Sequence, residues 1–361
     1  MTQALEVTFP RDGDVLARHD GKETEESLTV SVRGKAPAGD AVRVNGLRAV
    51  VELGDFVCEL PLTKRHNKIV VESGEKREEI LVWWNQGSRK RYRFSSDDNI
   101  YFLKDLGTEP ERYDSLFDHW YLGFWREMHE EFGAKIHINI YYQTDGFDLT
   151  QMPDKWRDEW RENAGWLHLS FHALQDQPDR PYRNAVHAQL AHDYDLVCGH
   201  IRRFASDECI GNTTTIHWAE CPKEAVGAVR ERGIKNLIAL FDYKGEGGRC
   251  TTGYYLSQES CAYCDTRGAW CDRETDLTFI RCTCVVNALR LEEIERFLNA
   301  RTSTPQTAEM VELLIHEQYF RKEHPLYQPT VLDKVRTSLR WVTERGYEPV
   351  FWGDGYLGTE G

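Results

Sequence analysis

From Arg91 onward the chain alternates short apolar runs with segments of helical period, and this repetition restricts the fold more than any other feature. The pattern predicts strands at 135–142, 166–171, 213–217, 236–241, 277–286, 311–316 and 349–352. Between them it predicts helices at 111–132, 154–163, 182–204, 222–232, 291–298 and 329–345. Gly133 and Gly346 stand where helices should stop, and Pro222 and Pro329 where they should start. Strands and helices in such alternation build a mainly parallel sheet, here an incomplete (β/α)7-type barrel over 91–361.

Residues 1–86 read differently. Short alternating runs such as Leu28-Thr29-Val30-Ser31-Val32 and Lys68-Ile69-Val70-Val71 are separated by turn residues. Asn45-Gly46 between two of them is a hairpin signal, because both residues tolerate positive φ. Strands at this spacing predict an all-β sandwich. The polar stretch Gln86-Gly87-Ser88-Arg89-Lys90-Arg91 reads as a linker.

In parallel α/β folds the working residues stand at the carboxyl ends of strands. Here the expected strands end on Asp97 and Asp98, on His172, on His217 and on His316. Adjacent carboxylates at a strand end repel each other and resist burial, so a cation, water or base should compensate them. His172 and Asp176 are four residues apart and share a face if the segment makes a turn of helix. With Asp98 they would give one nitrogen and two oxygen ligands, leaving positions open for water and substrate as in catalytic zinc sites. Such a set also suits manganese, cobalt, nickel or iron. The plain alternative is a solvated turn, with Asp98 or Asn99 capping the next element.

Composition narrows the partners. A formal net charge of −14 argues against nucleic acid and anionic membranes. No apolar stretch approaches a membrane span, and no charged-then-apolar signal opens the chain. Ten cysteines without such a signal fit a reducing compartment, so a cytoplasmic protein is expected, although a secreted chain trimmed of its signal would read the same. Aromatic residues are numerous and suit stacking on sugars as well as core packing. Oligomeric state is not legible.

The strand ending in Asp97-Asp98, the His172–Asp176 pair and Leu313-Leu314-Ile315-His316 together resemble the polysaccharide deacetylase family (NodB homology, carbohydrate esterase family 4). The resemblance implies a metal-dependent hydrolase, zinc first among the candidates, that removes an N-acetyl or O-acyl group from a carbohydrate. It implies Asp97 as general base, Asp98, His172 and Asp176 as metal ligands and His316 as general acid. His217, Trp218 and Asn99 would face the substrate. Two departures stand out: Asp176 replaces the second metal histidine, and Thr215-Ile216-His217-Trp218 occupies the place of an Arg-x-Pro-Tyr motif. The stretch Val44-Asn45-Gly46, with Gly54-Asp55-Phe56 and Asn67-Lys68-Ile69, resembles bacterial immunoglobulin-like modules. Rival readings are a glycoside hydrolase using paired carboxylates, which would ignore chelators, and a carbohydrate-binding protein with a degenerate site.

Between about 245 and 285 lies a cysteine-rich insertion. Cys261-Ala262-Tyr263-Cys264 is a knuckle-like pair, and Cys271 with Cys282 would complete a structural metal site. Cys282 and Cys284, alternate residues on a strand, read equally as ordinary buried thiols.

Overall fold

The computed structural model describes residues 4–37, 40–241 and 251–353. The chain divides into two compact units, Met1–Arg89 with Ala269–Glu274, and Lys90–Gly268 with Thr275–Gly361. The expected division left 269–274 in the second domain. Instead, Trp270 bridges to Asp14, and the amide of Cys271 donates to the carbonyl of Gly13 at 2.8 Å. Gly13 is required there. At its φ of +89° a Cβ would lie 2.2 Å from the Cys271 carbonyl oxygen.

In the first unit one sheet runs in the order Glu6–Phe9, Leu28–Lys35, Asp55–Leu62, Val50–Glu52, with Gly21–Glu23 also on Leu28–Lys35. The other runs Val15–Leu16, Lys76–Trp84, His66–Ser73, Val42–Val44, Leu47–Arg48. Alternate residues of both sheets, among them Val30, Val32, Ile69, Val71 and Val82, are fully buried in one cluster. Each such side chain contributes roughly 1.5–3 kcal/mol, which holds the two sheets face to face as a sandwich. Asn45 and Gly46 sit at φ 47° and 83°, and Val44 pairs with Leu47 across them. The strand Asp55–Leu62 is weakly marked in the sequence. It buries Phe56, Cys58, Leu60 and Leu62 in strict alternation, and Pro61 near its end hides that signal.

The second unit is barrel-like. Leu167–Ala173, Ile136–Tyr141, Arg91–Asn99, Met310–His316 and Cys284–Val285 lie side by side, all parallel. Thr213–Thr214, Asn236–Ala239 and Leu277–Arg281 form a second parallel set. The amide of Gly211 reaches the Leu169 carbonyl at 3.0 Å, joining the sets on one side. On the other, the chain leaving Leu277–Arg281 bonds from Thr283 to the Glu312 carbonyl at 2.9 Å. Helices Trp120–Phe132, His187–Phe204 and Val331–Glu344 each bury an apolar face. The first of these starts nine residues later than the sequence predicts. Ser115 closes a capping box on the short turn Leu116–Asp118, and His119 caps the helix proper. Among the described residues no helix is long and apolar enough to cross a membrane.

The central strand, Arg91–Asn99, is buried along its whole length. A polar barrel interior follows from its inward residues. Arg93 donates from Nε and Nη2 to the two oxygens of Glu312, each at 2.9 Å, and both side chains are fully buried. Ser95 Oγ and Trp352 Nε1 add bonds to the same carboxylate at 2.8 and 2.6 Å. This fork ties Arg91–Asn99 to Met310–His316 below the site. Removing one partner strands the other charge in low dielectric, so Arg93→Ala should lower unfolding free energy by about 3–5 kcal/mol in chemical denaturation. A loss below about 1 kcal/mol would show the pair to be dispensable.

Candidate metal centre and its cleft

The pairing of Arg91–Asn99 with Ile136–Tyr141 slips between Ser96 and Asn99. Asp98 sits inside that slip at φ 60°, a left-handed conformation that costs a non-glycine residue on the order of 1–3 kcal/mol. Asp97 Oδ1 accepts from Asn139 Nδ2 at 2.6 Å, and Thr214 Oγ1 donates to the Asn139 oxygen at 3.2 Å. Asp98 Oδ2 accepts from Gln318 Nε2 at 2.8 Å. Its Oδ1 accepts the Tyr141 hydroxyl and meets His172 Nε2 at 3.0 Å and His217 Nδ1 at 3.3 Å.

His172 lies near the end of the strand Leu167–Ala173, with Nδ1 against the Thr215 carbonyl at 2.5 Å. A carbonyl only accepts, so Nδ1 carries the hydrogen and the neutral ring presents a lone pair at Nε2. His217 follows the short strand Thr213–Thr214 and brings Nδ1 to 3.1 Å from His172 Nε2. Together Asp98, His172 and His217 offer ligand atoms within 4.8 Å of one another. A nitrogen lone pair facing a carboxylate oxygen at 3.0 Å is repulsive unless a positive charge joins them. Either a proton or a metal ion satisfies that demand, and two imidazoles with one carboxylate suit a divalent transition metal.

The electrostatics carry the same message. Burial pushes the Asp98 carboxyl up, but the charge of His316 and hydrogen bonds from His172 and His217 outweigh it, leaving Asp98 well below 3.8. Burial pulls His172 down, but the charge of Asp97 and the bond to Asp98 outweigh it, leaving His172 above 6.5.

Several expected site residues take other places than the sequence suggests, Asp176 lining the same cleft as Asp98 without joining the cluster. Asp176 is not in the converging set. The chain stays extended through Ala173, so His172 and Asp176 never share a helical face, and Asp176 stands largely exposed with Oδ1 3.8 Å from His217 Nε2. His217, expected to face substrate, is the second imidazole instead. Asn99 is fully buried, its amide bonded to the carbonyls of Ser96 and Asn139 and its oxygen to the Tyr121 hydroxyl. It braces the slip and has no face free for a substrate. Trp218 is partly exposed at φ 66°, with the Arg180 guanidinium 5.2 Å from its ring centroid. His316 pairs with Asp97 across neighbouring strands, and its Nδ1 meets Asn287 Oδ1 at 2.9 Å. Cys261, Cys264, Cys271 and Cys282 are buried, but no cysteine group able to hold a metal is found among the described residues. The start of the expected insertion, through residue 250, lies outside them.

Sequence reasoning passed over Tyr141 and Gln318, which touch Asp98, and Glu317, a fully buried carboxylate beside His316. Burial pushes Glu317 up to about 7 against the pull of Arg321 and of three backbone amides. Nothing local marks its role, since the three amides it accepts lie more than two hundred residues away.

Asp98 and Tyr141 lie in the wall of a cleft of about 790 Å³. Its other lining includes Gln143, Gln175, Gln177, Asp145, Asp148 and Tyr101, and no lysine or arginine is among the lining residues.

No family model matches the sequence, and no curated protein matches it. Among solved structures the chain is similar to the 4-alpha-glucanotransferase from Thermococcus litoralis, with TM-score 0.49 and 11% identity over 74% of this chain. The match spans 40% of the length of that transferase. It is also similar to the Bc1960 peptidoglycan N-acetylglucosamine deacetylase, with TM-score 0.39 and 8% identity over 74% of this chain and 89% of that one. A third similar structure is the T48 deacetylase with substrate, with TM-score 0.37 and 9% identity over 75% and 93% of the two chains.

The two opposed shifts give the metal-free protein a defined pH response. The raised His172 contributes stability in full below 6.5 and loses it as pH rises through its folded value. The depressed Asp98 contributes above 3.8 and loses it as pH falls through its own folded value. Urea unfolding of chelator-treated protein should therefore show the largest gap between wild type and His172→Gln from about pH 3.8 to 6.5. A gap that widens steadily toward pH 9 would contradict the protonated pair.

Proposed function

We propose that this chain is a metal-dependent hydrolase that removes an N-acetyl or O-acyl group from a carbohydrate. The observation that carries the reading is the lone pair of His172 Nε2, fixed by Thr215 and aimed with His217 at the Asp98 carboxylate in a cleft wall. Asp98, His172 and His217 would hold the ion. Such an ion supplies Lewis-acid polarisation of the acyl oxygen and lowers the pKa of a water from about 15.7 toward about 7. Zinc fits this donor set, and manganese, cobalt, nickel and iron are served by the same ligands.

The chain's own residues then divide the proton traffic. Asn139 engages Asp97 Oδ1, leaving Oδ2 to accept a proton from the attacking water. His316 stands on the neighbouring strand end, and with Nδ1 donating to Asn287 it has Nε2 for delivery of a proton to the leaving amine or alcohol. The carbonyl carbon gains the water oxygen and loses the sugar nitrogen or oxygen, so one water is consumed for each acyl group released. Tyr141 donates to Asp98 and keeps that carboxylate oriented. The cleft lining of amides, acids and tyrosines, without lysine or arginine, suits neutral hydroxyl-rich groups and disfavours phosphate or uronate. Trp218, exposed beside His217, offers a ring for sugar stacking.

Elemental analysis of purified variants tests the ligand set. Asp98→Ala, His172→Ala and His217→Ala should each lose the stoichiometric metal that wild type retains, whereas Asp176→Ala should keep it. Asp97→Asn should keep the metal too, while acyl release from acetylated oligosaccharides falls about 10²–10⁴-fold. Activity that survives exhaustive chelation would sink the reading and favour a glycosidase.

A further inference from the structure

We infer that Glu317 is the positioning residue that holds Asp98 in its left-handed conformation, and that the turn His316-Glu317-Gln318 sets the geometry of the metal centre. The inference rests on Asp98 as a ligand and adds what fixes it in place. Helix Tyr101–Thr108 begins three residues after Asp98, and its cap residue Ile100 makes no side-chain capping bond. The orphan amides are taken instead by Glu317. Its Oε2 accepts from Ile100 at 2.8 Å and Tyr101 at 2.9 Å, and its Oε1 accepts from Phe102 at 2.7 Å. A carboxylate that accepts three consecutive amides fixes the backbone leaving Asp98.

The far side of the clamp is also tied down. Arg321 lies 3.7 Å from Glu317 Oε1 and donates to both oxygens of Asp105, within the same helix, at 2.8 and 3.2 Å. The circuit is therefore closed: helix start to Glu317, Glu317 to Arg321, Arg321 to the body of the helix. Gln318, next in sequence, donates to Asp98 Oδ2 and leaves Oδ1 toward the two imidazoles. One turn thus holds Asp98 through its backbone and through its side chain. A strained φ persists only where its surroundings over-determine it, and this turn supplies the constraint.

Glu317→Gln tests this because a carboxamide must point one N–H donor at the amides that the carboxylate accepts. Cobalt affinity is read by chelator competition at a temperature where circular dichroism shows both proteins folded. The variant should bind about 10–100-fold more weakly, with kcat reduced more than KM, as expected when a ligand's support is removed. Amide exchange at Ile100, Tyr101 and Phe102 in the metal-free protein should accelerate. A folded Glu317→Gln protein with unchanged cobalt affinity and unchanged exchange overturns the inference, whatever its melting temperature. Should that variant fail to fold, Arg321→Gln leaves the carboxylate in place but loosens it. Weakened cobalt binding supports the clamp, and wild-type affinity with wild-type exchange overturns it. If wild type itself takes up no cobalt, the ligand reading fails, and exchange at the three amides alone decides the clamp.

Discussion

A carboxylate buried at a strand end, with two imidazole nitrogens facing one of its oxygens, can exist only if positive charge joins them. That demand at Asp98 organises the second unit. It explains why the strand slips between Ser96 and Asn99, because an unbroken ladder would alternate Asp98 away from the neighbouring strand ends. It explains why Tyr141 and Gln318, both neutral donors, occupy the remaining lone pairs. It also explains why the positive φ is tolerated: the energy of four converging polar contacts exceeds the cost of the backbone.

The polar interior below the site answers to the same electrostatics. Arg93 and Glu312 form a fully buried fork in the barrel, with Ser95 and Trp352 completing the acceptor's shell. A hydrophobic pair of similar volume would often be as stable, so the fork is better read as fixing which strands are neighbours than as a source of stability. It joins Arg91–Asn99 to Met310–His316 four residues before Asp97 and His316, the two groups assigned to proton transfer. The spacing of base and acid is therefore set by strand register and not by loops.

What the sequence made legible was whatever depends on local pattern. The strand–helix alternation predicted the parallel sheet, and polar residues at strand ends singled out Asp97, Asp98, His172, His217 and His316. What it missed depends on contacts distant in sequence. Asp176 looked like the natural partner of His172 because four residues make one helical turn, but the strand carries on through Ala173 and removes that turn. The second imidazole comes from His217, forty-five residues later. Helix Tyr101–Thr108 carried no capping signature because its cap is a side chain more than two hundred residues downstream. Asn99 looked exposed beside two acids, yet its amide is spent on the carbonyls that hold the slip together.

These failures share a cause, and it lies in how the cluster around Asp98 is assembled. When both imidazoles lie on one helical turn, the metal is held by one segment and the acid by another. Here Asp98, His172 and His217 come from three separate regions of the barrel, with Ile136–Tyr141 between the first two, so the cluster forms only once these strands are paired. Closure costs more chain entropy than a local turn does, but it couples the centre to the register of every strand that feeds it. His316-Glu317-Gln318 extends that coupling to Met310–His316, giving consecutive residues to the proposed acid, to the helix start behind Asp98 and to the Asp98 carboxylate itself. The position of each group in this cluster is fixed by the sheet and not by its neighbour in sequence.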